Sequence, residues 1–220
     1  MKQREIQVQF LPLTQLLTLQ KQDFENLTQF QHYKKNQIYQ YREQCLSKFI
    51  GYSISAKDIV TTEYGKPYLK SDSFIEFNQA HSHQYYALAM SHQVKDLGVD
   101  VEDLNRKVRF EALAKHAFHA DELKIWQSLD FDPVYWFKVW TTKEAILKAS
   151  GLGIRMNLNE LNTQVHVAND GGISAYHERL GIFAYQNYQV AGCVLTVAWR
   201  SELSCRGFAF PIIHIQQNNV

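Results

Sequence analysis

At 220 residues the chain is long enough to bury a sizeable core, either as one large domain or as two halves packed together. Lys and Arg number 23 against 22 Asp and Glu, a formal net charge of +1, which excludes the strongly basic surface of a general nucleic-acid binder. The hydrophobic and charged fractions are those of a globular chain, and no uninterrupted apolar run approaches the roughly 20 residues that a membrane-crossing helix needs.

The opening residues, MKQREIQVQFLPL, contain neither a long apolar stretch nor a small-residue cleavage site. Cys45, Cys193 and Cys205 lie far apart and form no C-x-x-C pair. A cytoplasmic chain with structural thiols, free of membrane and nucleic acid, is the expectation.

In chain order, Arg4 to Phe10 alternates as a strand, and Leu13 to Phe30 has the apolar spacing of helical segments. Tyr33 to Ile54 reads as an amphipathic helix with Lys34 and Lys35 near its start. Gly65 and Pro67 then mark a turn in EYGKPYL. Phe74 to Phe77, Tyr85 to Met90 and Gly98 to Glu102 read as strands of one antiparallel sheet closing the first half. Phe110 to Ser128 and Val134 to Ser150 read as two helices, and Tyr188 to Trp199 with Phe208 to Ile215 as a second sheet.

The strand at Gly98 carries the first chemical question. In LGVDVEDLNRK successive side chains alternate, so Val99 and Val101 share one face while Asp100 and Glu102 share the other. An isolated D-x-E of this kind is ordinarily a solvated acidic edge; the alternative is a pair that holds a hard cation such as Mg2+. Further on, Trp140, Glu144 and Lys148 recur every four residues on one helical face, ended by Gly151 and Gly153. Alone, these too would be an ordinary Glu–Lys pair under a core Trp.

Their order in the chain argues against coincidence. EYGKP, FNQAHS, LGVDVE, FHADE and WTTKEAILK follow one another between about Lys34 and Ile154. This set resembles the 4'-phosphopantetheinyl transferases, in particular the larger class that activates surfactin-type peptide synthetases. That family's pattern is a G-K-P turn, F-N-x-S-H-S, G-[IV]-D-[IV]-E, F-x-x-x-E and W-x-x-K-E-[AS]-x-x-K.

The resemblance implies an α+β fold of two similar subdomains related by a pseudo-two-fold, each a small antiparallel sheet packed with helices. Residues 1–103 and 104–220 would form the halves of a monomer, with coenzyme A in the cleft between them. It implies Mg2+-dependent transfer of 4'-phosphopantetheine from coenzyme A to a serine of an apo acyl, peptidyl or aryl carrier protein, releasing 3',5'-ADP.

Carried over residue by residue, the metal ligands fall on Asp100, Glu102 and Glu144. Lys148 faces the pyrophosphate, and Lys66 and His81 match phosphate-binding positions, with Lys34 and Lys35 as candidates for the 3'-phosphate. Glu122 and Glu144 both qualify as the base that activates the acceptor serine, with Glu122 favoured. Ala80 stands where the family usually has Ser, removing a hydroxyl that Ser82 or a backbone N–H would have to replace.

Two other readings use the same acids: a Mg2+-dependent phosphohydrolase with water as nucleophile, and a non-catalytic scaffold that docks carrier proteins. His81, His83 and His92 lack the spacing of a zinc site. The aromatic run Tyr135, Trp136, Phe137 and Trp140 is expected in the core. Arg106, Lys107, Arg109 and Lys115 are either a steering surface for an acidic carrier protein or a solvated face.

Overall fold

The computed structural model describes residues 3–71, 74–153, 155–201 and 210–217. Cys205, Ile154, Phe208 and Ala209, which enter the expectations above, lie outside these residues.

Two four-stranded sheets form the centre. The first contains β1 (Glu5–Pro12), β4 (Glu76–His81), β5 (Tyr85–Ser91) and β10 (Ile212–Gln217), in the order β10-β1-β5-β4. The second contains β6 (Gly98–Asp103), β7 (Gly171–Ile173), β8 (Ile182–Val190) and β9 (Cys193–Ser201), in the order β6-β9-β8-β7. The sheets pack face to face: Ile6, Val8 and Phe10 of β1, with Ala87 and Ala89 of β5, meet Val99 and Val101 of β6 and Leu195 and Val197 of β9.

Each sheet carries one long helix on its outer face. Helix α1 (Leu27–Ile50) lays Ile38 and Leu46 on Tyr86, Leu88 and Met90, side chains that alternation turns away from the intersheet core. Asn26 caps its start by accepting from the Gln29 N–H, and Gly51, at φ 91°, ends it in the left-handed conformation that suits glycine. On the second sheet lies α4 (Pro133–Ser150), capped by Asp132, which accepts from the Tyr135 N–H, and ended by Gly151 at φ 72°. Tyr135, Trp136 and Phe137 of α4 are buried beside α2 (Phe110–Ala117) and α3 (Ala120–Ser128), as expected of a core aromatic run. A short ribbon of β2 (Ile59–Thr61) and β3 (Pro67–Leu69) stands apart from both sheets.

This is the α+β architecture expected, with small antiparallel sheets under helices, but several boundaries differ. Strand β6 does not close the first sheet: Gly98 lies opposite Ala198 and Asp103 opposite Cys193, so it pairs with β9 in the second. Strand β10 makes the reverse crossing, and runs parallel to β1. A cut at residue 103 therefore assigns one strand to the wrong sheet in each half. Burial explains β6, because both of its faces are covered, one by the first sheet and one by α4.

The other differences are local. Leu13–Gln15 is one 3-10 turn, so α1 begins at Leu27. Phe110 to Ser128 is two helices, because His119 turns extended and caps α3 in a reciprocal box with Glu122. The run Tyr188 to Trp199 bends into a hairpin at Ala191 and Gly192, both at positive φ.

Candidate active site

Strand β6 and helix α4 assemble the site. Gly98 lets the helix approach the strand backbone: a Cβ there would sit 2.6 Å from the Ala149 backbone N and 2.8 Å from its Cβ. With the helix this close, Lys148 Nζ donates to Asp100 Oδ1 at 2.6 Å. Asp100 Oδ2 is buried and has no hydrogen-bond partner. Burial, opposed by Lys148 and reinforced by Glu144, raises the Asp100 pKa to about 6. Glu102 and Glu144 are also raised, each by burial first; Asp100's charge then adds at Glu102, and Glu102's at Glu144. Burial works against the Lys148 cation, but Asp100, Glu144 and Glu102 together outweigh it and hold its pKa above the ordinary value.

The three acids thus feel one another's charge, yet their side chains do not close on a common point. Among the described residues no group of three or more His, Cys, Asp or Glu is gathered tightly enough to hold a metal ion. Lys148 takes one oxygen of Asp100, and Arg106 Nη1 pairs with Glu102 Oε1. The donor set still suits a hard cation, being all carboxylate oxygen with one buried oxygen of Asp100 unpartnered.

Beside this cluster a cleft of about 510 Å³ opens, walled by α4 and its C-cap through Glu144, Lys148 and Gly151, by α1 through Arg42, and by the β2–β3 turn through Lys66. His81, at the end of β4, keeps an exposed edge, yet burial of its ring and the charges of Lys34 and Lys148 lower its pKa. Burial also lowers the Lys34 pKa. Asp100, Glu102, Glu144 and Lys148 thus feel one another's charge, and His81 is linked to them through Lys148 and to α1 through Lys34.

Three expected site residues are placed otherwise. Lys66 reaches the cleft wall, but its Nζ donates to the Ala149 carbonyl at 2.8 Å and to Glu76 at 3.1 Å, binding the G-K-P turn to the end of α4. Lys35 lies over the Tyr39 ring, 5.5 Å from its centroid. Glu122 is 1% exposed and fully engaged. It accepts from the His119 N–H at 2.7 Å, from the Thr163 N–H at 2.8 Å and from the Thr163 hydroxyl at 2.5 Å, and it pairs with Lys143 Nζ at 2.8 Å. Its carboxylate has no open path to a substrate hydroxyl, which speaks against the favoured base.

Two neighbours acquire roles that the motifs did not assign. Asp103 accepts from the Ser82 hydroxyl and from the His83 and Gln84 N–H groups, so the third acid of the cluster caps the β4–β5 turn. Ser82 is thereby committed and cannot replace a hydroxyl missing at Ala80, whose methyl packs in the intersheet core. Arg42 was missed: it is 5% exposed, walls the cleft and leaves its Nε without a partner. The signal lay in the sequence, since Lys34, Ile38 and Arg42 are spaced four apart on one helical face.

Comparison with known proteins points to the same family as the motifs. Residues 96–198 match the 4'-phosphopantetheinyl transferase superfamily. A 4'-phosphopantetheinyl transferase of Bacillus subtilis is 29% identical over 140 residues, which is 60% of this chain and 60% of that protein. HetI of Nostoc is 40% identical over 96 residues, 41% of this chain and 40% of HetI, and Sfp of Bacillus subtilis is 29% identical over 127 residues, 56% and 54%. The chain thus matches no more than about 60% of these relatives' length. Lys34, Lys66 and His81 fall outside the matched segment, whereas Asp100, Glu102, Glu144 and Lys148 fall within it. The segment from residue 96 to residue 198, which builds the acid cluster and the helix facing it, is the part of this chain that is similar to the 4'-phosphopantetheinyl transferase superfamily.

Proposed function

We propose that this protein transfers 4'-phosphopantetheine from coenzyme A to a serine hydroxyl of an apo acyl, peptidyl or aryl carrier protein, releasing 3',5'-ADP, as a monomer in the cytoplasm. The observation that carries the reading is the Lys148–Asp100 pair with Glu144 and Glu102 beside it, one cation and three acids at the edge of a cleft.

Phosphoryl transfer needs little covalent help from a protein; it needs positioning and charge compensation. Lys148 supplies a fixed cation beside the donor pyrophosphate, where charge grows on the departing 3',5'-ADP. His81, Lys34 and Arg42 offer further positive charge and N–H donors for the donor's phosphates. His81, whose cation is disfavoured by burial and by the charges of Lys34 and Lys148, gains a partner when an anion binds.

Asp100, Glu102 and Glu144 are the residues that would hold Mg2+, which when bound offsets the charge of the pyrophosphate. Glu144 is the base of choice, because it walls the cleft and burial raises its proton affinity, whereas Glu122 is enclosed. It accepts the proton that the serine hydroxyl must lose as its oxygen attacks phosphorus.

The test is intact-protein mass spectrometry of an apo carrier protein incubated with this protein, coenzyme A and Mg2+, with Asp100→Asn alongside. A mass gain of one phosphopantetheine, absent in the variant, supports the reading. Unmodified carriers from several pathways would overturn it, and phosphate release without acceptor would point to a phosphohydrolase.

A further inference from the structure

Where α4 packs on the second sheet it carries two adjacent threonines, Thr141 and Thr142, both fully buried. Beneath them lie Thr196 of β9 and Asn187 of β8, at 0% and 1% exposure. Thr196 is the register partner of Asn187 on one side and of Asp100 on the other, so the three residues form one row across the sheet. Asn187 Nδ2 donates to Thr196 Oγ1 at 2.7 Å and to Thr142 Oγ1 at 3.0 Å, and the Thr141 and Thr196 hydroxyls lie 2.7 Å apart. Thr141 and Thr142 then donate to the Phe137 and Lys138 carbonyls, at 2.8 and 2.7 Å.

Counting protons fixes the direction of the network. Each hydroxyl has one proton, and those of Thr141 and Thr142 go to the helix carbonyls. Thr196 must therefore donate to Thr141 while accepting from Asn187. Every donor is used, and one amide holds two consecutive helix residues, Thr142 directly and Thr141 through the Thr196 hydroxyl. Such a grip opposes both rotation of α4 about its axis and sliding along the sheet. Apolar contacts, being non-directional, would fix neither as sharply.

We propose that Asn187, Thr196, Thr141 and Thr142 form a positioning lock that sets α4 so that Lys148 and Glu144 stand correctly against Asp100. Glu144 follows Thr141 by three residues and Lys148 by seven, so a small rotation at the threonines moves both groups relative to Asp100. The inference rests on the transferase reading for its effect on rate, while the lock itself is a statement about α4.

Three variants test it. Thr196→Ser keeps the central hydroxyl, and Thr196→Val removes it. The triple variant Thr141→Val, Asn187→Leu, Thr196→Val replaces the linked partners together by apolar groups, so that no buried donor is stranded and the fold is retained. In the triple variant we expect cooperative melting, kcat about 10–100-fold lower and KM for coenzyme A within about threefold, since displacement of a reacting group acts on the rate. Thr196→Ser should keep kcat within about threefold of the wild type. Amide hydrogen exchange along residues 141–148 should accelerate at least about tenfold in the triple variant.

A folded triple variant with wild-type kcat and exchange overturns the lock, as does a loss confined to KM. If the triple variant does not fold, the contrast in kcat between Thr196→Val and Thr196→Ser decides. If the wild type itself transfers nothing, the reading of the reaction falls and the exchange comparison still decides the lock.

Discussion

Lys148, in the last turn of α4, places its Nζ 2.6 Å from Asp100 Oδ1 on β6, across the contact that Gly98 permits. The pair joins the two motifs that are most distinctive in the sequence, and Asp100 is left with its second oxygen unpartnered. Lys148→Met keeps the length and apolar stem of the side chain but removes the cation. Carrier modification should fall by about 10²–10³-fold, the usual loss on removing one preorganised electrostatic group. Mass spectrometry of the carrier at fixed times measures it, and near-normal rates would show that Lys148 serves packing alone.

The same pair sets a pH signature in stability. The Asp100 pKa is about 6 in the folded protein against 3.8 for an ordinary Asp, so the folded state binds its proton more tightly than the unfolded one. That contribution is fully present below pH 3.8 and is lost as pH rises through about 6. Relative to Asp100→Asn, whose amide does not titrate, the wild type should lose about 2–2.5 kcal/mol between pH 4 and pH 7, at about 1.36 kcal/mol per pH unit between the two pKa values. Urea denaturation of both proteins across this range checks it. A difference that stays flat, or grows with pH, would contradict the burial of Asp100.

Glu122 and Lys143, each 1% exposed at the side chain, lie on the far side of α4 from the cleft. Lys143 also donates to the Leu158 and Leu161 carbonyls, so the pair holds the segment after α4 against α3. Removing one partner of a buried pair leaves an uncompensated charge, at about 3–5 kcal/mol. Glu122→Gln should therefore lower the melting temperature sharply while the folded fraction keeps its kcat, and adding Lys143→Met should recover much of the stability. A stable Glu122→Gln protein without activity would restore Glu122 as the base.

Much of this was legible in the sequence, because the informative patterns are local. Alternation in LGVDVE correctly puts Asp100 and Glu102 on one face of β6, and four-residue spacing puts Glu144 and Lys148 on one face of α4. Sheet membership was not legible. Gly98 pairs with Ala198, and Ile212 with Glu5, and nothing in either strand's own composition names so distant a partner. Glu122 fits the F-x-x-x-E pattern whether it acts on substrate or neutralises Lys143; only the burial of both side chains separates the roles. Asp103 likewise looks like part of an acid cluster until the turn that it caps is folded against it.

Ala80 shows the same limit from the other direction. Judged by its motif, the missing hydroxyl weakens a phosphate contact; in the fold, its methyl faces the apolar layer between the sheets. Ala80→Ser should leave coenzyme A affinity unchanged and reduce stability by about 1–3 kcal/mol, the range for a buried hydroxyl without a partner. Isothermal calorimetry and thermal melting separate the two effects, and tighter coenzyme A binding would show that the side chain reaches the cleft.

Gly98 offers the sharpest test of how the site is built. A Cβ at this position falls against the Ala145 carbonyl oxygen as well as the Ala149 N and Cβ, all belonging to α4, and backbone atoms of a capped helix have no rotamer by which to withdraw. Gly98→Ala must therefore push α4 away from β6 as a body. Overpacking of this kind ordinarily reduces stability by about 1–3 kcal/mol and sometimes more. The displacement also lengthens the reach from Lys148 to Asp100, so activity should fall further than stability alone explains. Carrier modification measured well below the melting temperature, where the variant is folded, should drop at least about tenfold, because small misplacements of reacting groups act steeply on rate. Gly98→Ala with normal activity would mean that α4 can retreat without carrying Lys148 away from the strand, and the close contact would then serve packing rather than the geometry of the acids.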